Sequence, residues 1–205
     1  MGAENCYTLL NTINTDYFKG IIKEVHENNS NYIFNPKSIK ILYVGAIEKR
    51  KNIKQLIDMV ARLNHIEDKI FFLEIIGDGD QYDTLIDYVK RNEYKNINFY
   101  GAISDLESLK PFYFSSDVLI LPGDGGLAIV QSLLFGLPVL CILADGTEQD
   151  YLNDIQTIFN NLDEIEKYLY VLNKIDRIDI KEIIGRLSSD RWINNFLHIT
   201  SENLS

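Results

Sequence analysis

Cysteine is scarce in this chain. Cys6 and Cys141 are the only two, far apart and without metal-ligand spacing, which excludes a cysteine-built zinc site and suits a reducing cytoplasm. Cys141 lies in an apolar run and reads as a small core residue. Histidine is equally sparse: His26, His65 and His198 share no zinc or triad spacing, so no metal site is expected. Positive charge is in deficit, with 20 Lys and Arg against 30 Asp and Glu and a formal net charge of −10. That balance argues against nucleic acid as the partner and against a polybasic membrane patch on this part of the molecule. Prolines number four, and no low-complexity tract or internal repeat is present. Met1 to Asn11 lacks the basic start and apolar core of a secretory signal. No G-x-x-x-x-G-K-[ST] occurs, which sets aside a P-loop NTPase. Only Leu127 to Ala144 is uncharged over nearly a membrane's thickness, and Gly136-Leu137-Pro138 cuts it into a helix and a strand.

What is present is the alternation of an α/β domain. The 205 residues, 46% of them hydrophobic, suffice for one well-buried domain and are short for two. From Ile39 onward apolar runs alternate with amphipathic stretches, the pattern of a doubly wound, mostly parallel sheet covered on both faces. Expected strands are Lys40–Val44, Ile70–Ile76, Ile97–Tyr100, Asp117–Leu121 and Val139–Leu143, with a weaker sixth near Thr157–Phe159. Ile53, Leu56, Ile57, Val60 and Ala61 form one helical stripe, and Tyr82, Leu85, Ile86 and Val89 another. Asp80 is the expected N-cap of the second helix, Ser104 and Glu107 a capping box for the third, and Gly136 the stop of the fourth. The ends read as a short strand at Tyr7–Leu10, a helix from Asp16 to Glu27, and helix from Leu162 to His198 interrupted near Asp176 and Gly185. From the residues alone the reading is one domain with dressed ends.

Glycines collect on one edge of the expected sheet. Gly45, Gly77 and Gly79, Gly101, Gly123 to Gly126, and Gly146 all follow the carboxyl ends of strands, where open α/β sheets bind ligands. A strand order 3-2-1-4-5 reverses between the first and fourth strands, and the loops flanking that crevice are Gly45–Asn52 and Pro122–Gly126. The first carries Lys49, Arg50 and Lys51. The second leads into a helix whose free N–H groups and positive dipole end attract phosphate. An anion is then held by cations from one side and by amides from the other. Taken alone, Lys49–Lys51 reads as a solvated charge run. Gly77-Asp78-Gly79 imitates the opening of a dinucleotide fingerprint, but Tyr82 holds the third glycine's place and no acidic residue ends the next strand near Tyr100.

The ordered segments ILYVGAIEKRKNIKQLIDMV, FFLEIIGDGDQYDTL, INFYGAISD, SSDVLILPGDGGLAIVQSLLFGLPVL and DGTEQDYL carry a resemblance. From Ile41 to about Tyr151 the chain resembles the C-terminal domain of the family 4, or group 1, GT-B glycosyltransferases, whose Rossmann-like C-terminal half binds the nucleotide sugar. The resemblance implies that Lys51 neutralises the donor diphosphate and that the amides of Gly125, Gly126 and Leu127 meet its phosphates. It places Ile103 at the nucleobase with Asp105 nearby, and Gln131 at the ribose hydroxyls. The donor is a nucleotide-diphosphate sugar acting as substrate, and no separate cofactor is expected. The chemistry it implies is hexosyl transfer, retaining in outcome, to a glycan or glycolipid acceptor, as in polysaccharide biosynthesis.

Three positions depart from the family pattern. The first glutamate of Glu-x7-Glu is Gly123, with Asp124 beside it as the candidate substitute near the sugar. The second is Gln131, which still hydrogen-bonds ribose but carries no charge. The arginine usual after the first glycine is Ala46, leaving Lys49 or Arg50 to stand in. A non-catalytic sugar-nucleotide-binding or scaffolding module therefore stays open as the alternative. Residues 1–35 are too few for the family's N-terminal, acceptor-binding half and resemble its interdomain or linker segment, with a helix, while residues 36–205 resemble its Rossmann-like domain with C-terminal helices; the acceptor-binding half is expected in cis or in trans. The expected setting is the cytoplasm, peripheral to the inner face of the membrane in the full-length protein, with membrane contact not made by this domain.

Overall fold

Apolar runs buried on both faces make the centre of the sheet. All four residues of Val118–Leu121 are buried, as are Ile39, Ile41, Leu42 and Tyr43, because helices cover such strands on either side. The computed structural model describes residues 15–66, 68–144, 147–152, 157–181 and 183. Among these it contains strands β1 (Ser38–Val44), β2 (Ile70–Ile76), β3 (Ile97–Phe99), β4 (Val118–Leu121), β5 (Val139–Ile142) and β6 (Thr157–Phe159). Every pairing is parallel and the order is β3-β2-β1-β4-β5-β6. The expected doubly wound order is met, and the weak sixth strand extends it at the β5 edge.

The helices are α1 (Thr15–Ser30), α2 (Ile53–Leu63), α3 (Tyr82–Arg91), α4 (Leu106–Ser115), α5 (Leu127–Leu134), α6 (Thr147–Leu152) and α7 (Leu162–Val171). In α2 the whole expected stripe is buried, joined by Met59 and Leu63; each large aliphatic so buried contributes about 1.5–3 kcal/mol, as an upper estimate. Tyr88 of α3 donates to Asp58 of α2 at 2.6 Å, and Arg62 of α2 pairs with Glu166 of α7 at 2.5 Å. On the other helical layer Lys110 of α4 reaches Glu24 of α1 at 3.0 Å, and Tyr113 stacks on Phe135 at the end of α5. The uncharged stretch Leu127 to Ala144 is α5 followed by the buried β5, and no helix among the described residues is long and apolar enough to cross a membrane.

Several element ends differ from expectation, for tertiary reasons at α3 and α7 and for a local one at α4. Asp80 does not cap α3. Gln81 occupies the cap without a side-chain bond, and its amide donates instead to Ile47 O at 3.1 Å, so the loop after β1 satisfies the helix start. The Ser104–Glu107 box is replaced by Asp105, whose carboxylate accepts from Ser108 N at 2.8 Å; Asp caps as well as Ser, and Glu107 is freed to pair with Lys110 at 2.8 Å. The C-terminal helix stops at Val171, earlier than the expected break near Asp176. Lys69 Nζ takes the carbonyls of Tyr170 and Leu172 at 2.6 and 2.9 Å, and Leu172, Ile175 and Ile180 run buried along the core. The Tyr7–Leu10 strand, the Gly185 break and Gly146 lie outside the described residues.

One corner at the amino edge of the sheet joins distant segments. Asp117 accepts from Tyr32 OH at 2.7 Å and from Lys40 N at 2.6 Å. Arg177 donates to the carbonyls of Tyr113, Phe114 and Ser116 at 3.1, 2.9 and 2.5 Å, closing the C-terminus of α4, and lies 4.5 Å from the Tyr32 ring centroid. A guanidinium there meets the negative end of the helix dipole and the face of an aromatic ring together.

Candidate functional site

Strand order reverses between β1 and β4, and the loops leaving these two strands face each other across the carboxyl edge. After β1 the backbone is tied into its neighbours. Gly45 N donates to Ile76 O at 3.0 Å, Ile47 N to Asp78 O at 2.9 Å, and Gly77 N to Gly101 O at 2.8 Å. Tyr43 OH supports the loop from below by donating to Ala46 O at 2.8 Å. Lys49–Lys51 then form a single 3-10 turn, ended by Asn52 in the left-handed conformation, which asparagine tolerates. Asn52 Nδ2 donates across the crevice to Pro122 O at 3.1 Å.

On the facing loop two glycines are required by geometry. A Cβ on Gly123 would lie 2.7 Å from Arg50 O and 3.1 Å from Lys51 Cα, so the two loops touch backbone to backbone there. Gly126, the N-cap of α5, holds φ 53° and ψ −135°, a conformation that residues with a Cβ rarely adopt. The helix that follows begins with Leu127 half exposed; Ile129 N donates to Gly126 O at 3.2 Å, and the Leu127 and Ala128 amides before it have no intrahelical acceptors.

Charge converges between these loops. Lys51, with only 13% of its side chain exposed, donates to Asp124 O at 2.5 Å and to Asp124 Oδ2 at 3.1 Å. Arg50 pairs with the same Oδ2 and with Glu48 at 2.7 Å. Burial works to raise the Asp124 carboxyl, but the Lys51 hydrogen bond and charge, with Arg50 beside them, outweigh it and hold the group below the usual carboxylate range. Lys49 is exposed on the turn. Lys51, Arg50, Asp124 and Gly123 to Leu127 are thus brought together as expected from the sequence.

The remaining expected residues lie further out. Gln131 is on α5, one turn beyond Leu127, and its Oε1 accepts from the buried Tyr113 OH at 3.2 Å, which leaves its amide protons to donate. Ile103 and Asp105 sit on the segment after β3, where Ile103 packs partly buried against the core. The Asp105 carboxylate is engaged as the α4 cap, and the Ser108 amide holds it below its ordinary range. Asn52 and Tyr113 were not singled out in the sequence. Their partners are 70 and 18 positions away, and no local pattern marks either contact. Among the described residues no group of His, Cys, Asp and Glu is arranged to hold a metal ion. A groove of about 520 Å³ between the end of α2 and α7, lined by Arg62, Ile66, Glu166 and Tyr170, contains none of these site residues.

Comparison with known proteins bears on this crevice. The family described as glycosyl transferases group 1 matches residues 24–169. A protein of Methanocaldococcus jannaschii described as an uncharacterized glycosyltransferase is 26% identical over 174 residues, covering 82% of this chain and 45% of that protein. Among solved structures, the apo form of the lipopolysaccharide outer core galactosyltransferase WaaB superposes with a TM-score of 0.68 at 19% identity, over 80% of this chain and 49% of its own. S. aureus TarM, solved in complex with fondaparinux, α-GlcNAc-glycerol and UDP, superposes with a TM-score of 0.71 at 14% identity, over 97% of this chain and 40% of its own. The chain spans about half the length of the relatives it matches.

Proposed function

The chain belongs to the group 1 glycosyl transferases, and from that premise we propose that it is the donor-binding half of a hexosyltransferase. In this reading the β1/β4 crevice takes the diphosphate of a nucleotide sugar, with Lys51 on one side and the α5 amides on the other. The observation that carries it is the placement of the Lys51 ammonium within 3.1 Å of the loop that opens α5, at the point where strand order reverses. UDP bound to TarM in its crystal structure supports a nucleoside diphosphate as ligand. Chemistry at such a site is electrostatic: preorganised cations and amides stabilise the diphosphate as it departs. The hexose, the retaining outcome and a glycan or glycolipid acceptor complete the proposal, with the acceptor-binding half supplied in cis or in trans. The Gln131 amide protons, freed by the Tyr113 bond to Oε1, suit donation to ribose oxygens.

Calorimetry with UDP and with inorganic pyrophosphate tests this reading. Lys51→Ala removes one charge-assisted contact and should cost both ligands about 1.5–3 kcal/mol. Gln131→Ala should weaken UDP and leave pyrophosphate unchanged. Wild-type affinity in Lys51→Ala, Lys49→Ala and Arg50→Ala alike would remove the phosphate site from this crevice.

One observation favours the second reading, a binding or scaffolding module without transfer. Where the family has its sugar-proximal glutamate, this chain has Gly123 packed so closely on Arg50 O that no side chain fits. Assay of the chain together with its acceptor-binding half separates the two, since a binding module holds the nucleotide sugar without turnover.

A further inference from the structure

The geometry points to Asp124 as an internal competitor for the diphosphate subsite, a carboxylate that occupies the cations until a phosphate displaces it. This rests on the crevice being a diphosphate site and goes beyond it, because it assigns Asp124 a role opposed to ligand binding. Lys51 is mostly withdrawn from water, and an ammonium so placed needs an anion beside it. In this structure the anion is Asp124, whose Oδ2 is shared by Lys51 and Arg50. The same carboxylate stands two residues before the α5 N-cap, beside the amides that a phosphate would use. A carboxylate and a phosphate oxygen cannot both take the Lys51 and Arg50 donors, and two anions side by side repel. Binding is therefore an exchange in which the carboxylate leaves for solvent, which its 28% exposure allows, and the phosphate takes its donors. The Lys51 contact to the Asp124 backbone oxygen, at 2.5 Å, does not depend on the carboxylate and keeps the ammonium aimed into the crevice after the exchange. Asp124 is in this account no sugar-proximal substitute for the family's glutamate.

The two roles predict opposite signs. Titration of the full chain with inorganic pyrophosphate, which has no sugar or base, isolates the subsite. Asp124→Asn and Asp124→Ser, each checked to be folded by its circular dichroism and a cooperative unfolding transition, should bind pyrophosphate about five- to tenfold more tightly than wild type, with Lys51→Ala weaker than either. Measurable binding only in the two Asp124 variants supports the exchange equally. Equal or weaker binding in both variants, with Lys51→Ala still impaired, overturns the competitor role and leaves the diphosphate site standing. Absence of pyrophosphate binding in wild type and in both variants overturns the site and the competitor together.

Discussion

At the scale of the single residue, contact distance decides what position 123 can hold. Gly123→Ala places a methyl 2.7 Å from Arg50 O, so one loop must move. Overpacking of this kind costs about 1–3 kcal/mol, and urea unfolding should show it as a lower midpoint at unchanged slope. Stability equal to wild type would mean that the two loops do not touch as described. Residues of the site were readable in the sequence where the chemistry is local. The run Lys49–Lys51 and the glycines Gly123 to Gly126 leading directly into a helix could be named from position, and the resemblance picked Lys51 out of the run. Their partners could not. Asp124 answers Lys51 from 73 positions away, and the pairing arises only when β4 lies beside β1.

Element by element, type was more readable than terminus. Strands buried on both faces leave continuous apolar runs, so β4 and β5 were read to within one residue, and the largely apolar Ile70–Ile76 was read to the residue although its burial alternates. Helix starts went astray where a tertiary group competes with a local cap, as Ile47 O does at Gln81. At α4 the competition is between neighbours in sequence, and mutation can judge it. Asp105→Ala should lower stability by about 0.5–2 kcal/mol through loss of the bond to Ser108 N. Ser104→Ala should change it by less than about 0.5 kcal/mol, as an exposed position without a cap role does. A reversed order in thermal denaturation would restore the capping box expected from Ser104 and Glu107.

For the whole molecule, β5 supplies a reporter of global unfolding. Burial, and then the charge of Glu148, push the Cys141 thiol up to about 12. A group that is neutral in the fold and ionises near pH 8.5 when unfolded contributes its stability fully below that pH and loses it as pH rises towards 12. In a Cys6→Ser background, thiol labelling at about pH 8, near the free thiol's range, should proceed only at the pace of unfolding, and stability should fall from there upward. Fast labelling of folded protein would contradict the burial of β5. Sheet order was legible at this scale because parallel crossovers and the switch point constrain it. The position of residues 172–181 was not, since Lys69 and Arg177 fix it through contacts about a hundred and about sixty residues distant.

The Tyr32–Asp117–Arg177 corner has a mechanical meaning as well. Tyr32, on the chain leading into β1, and Arg177, on the chain lying along the core, meet at one point, the first held by Asp117 and the second by the end of α4, with the guanidinium over the Tyr32 ring. A tension applied across those two residues is carried by that clasp and bypasses the parallel ladder of β1 and β4, whose bonds stay unloaded until the clasp gives way. The corner thus works as a shackle between those two segments.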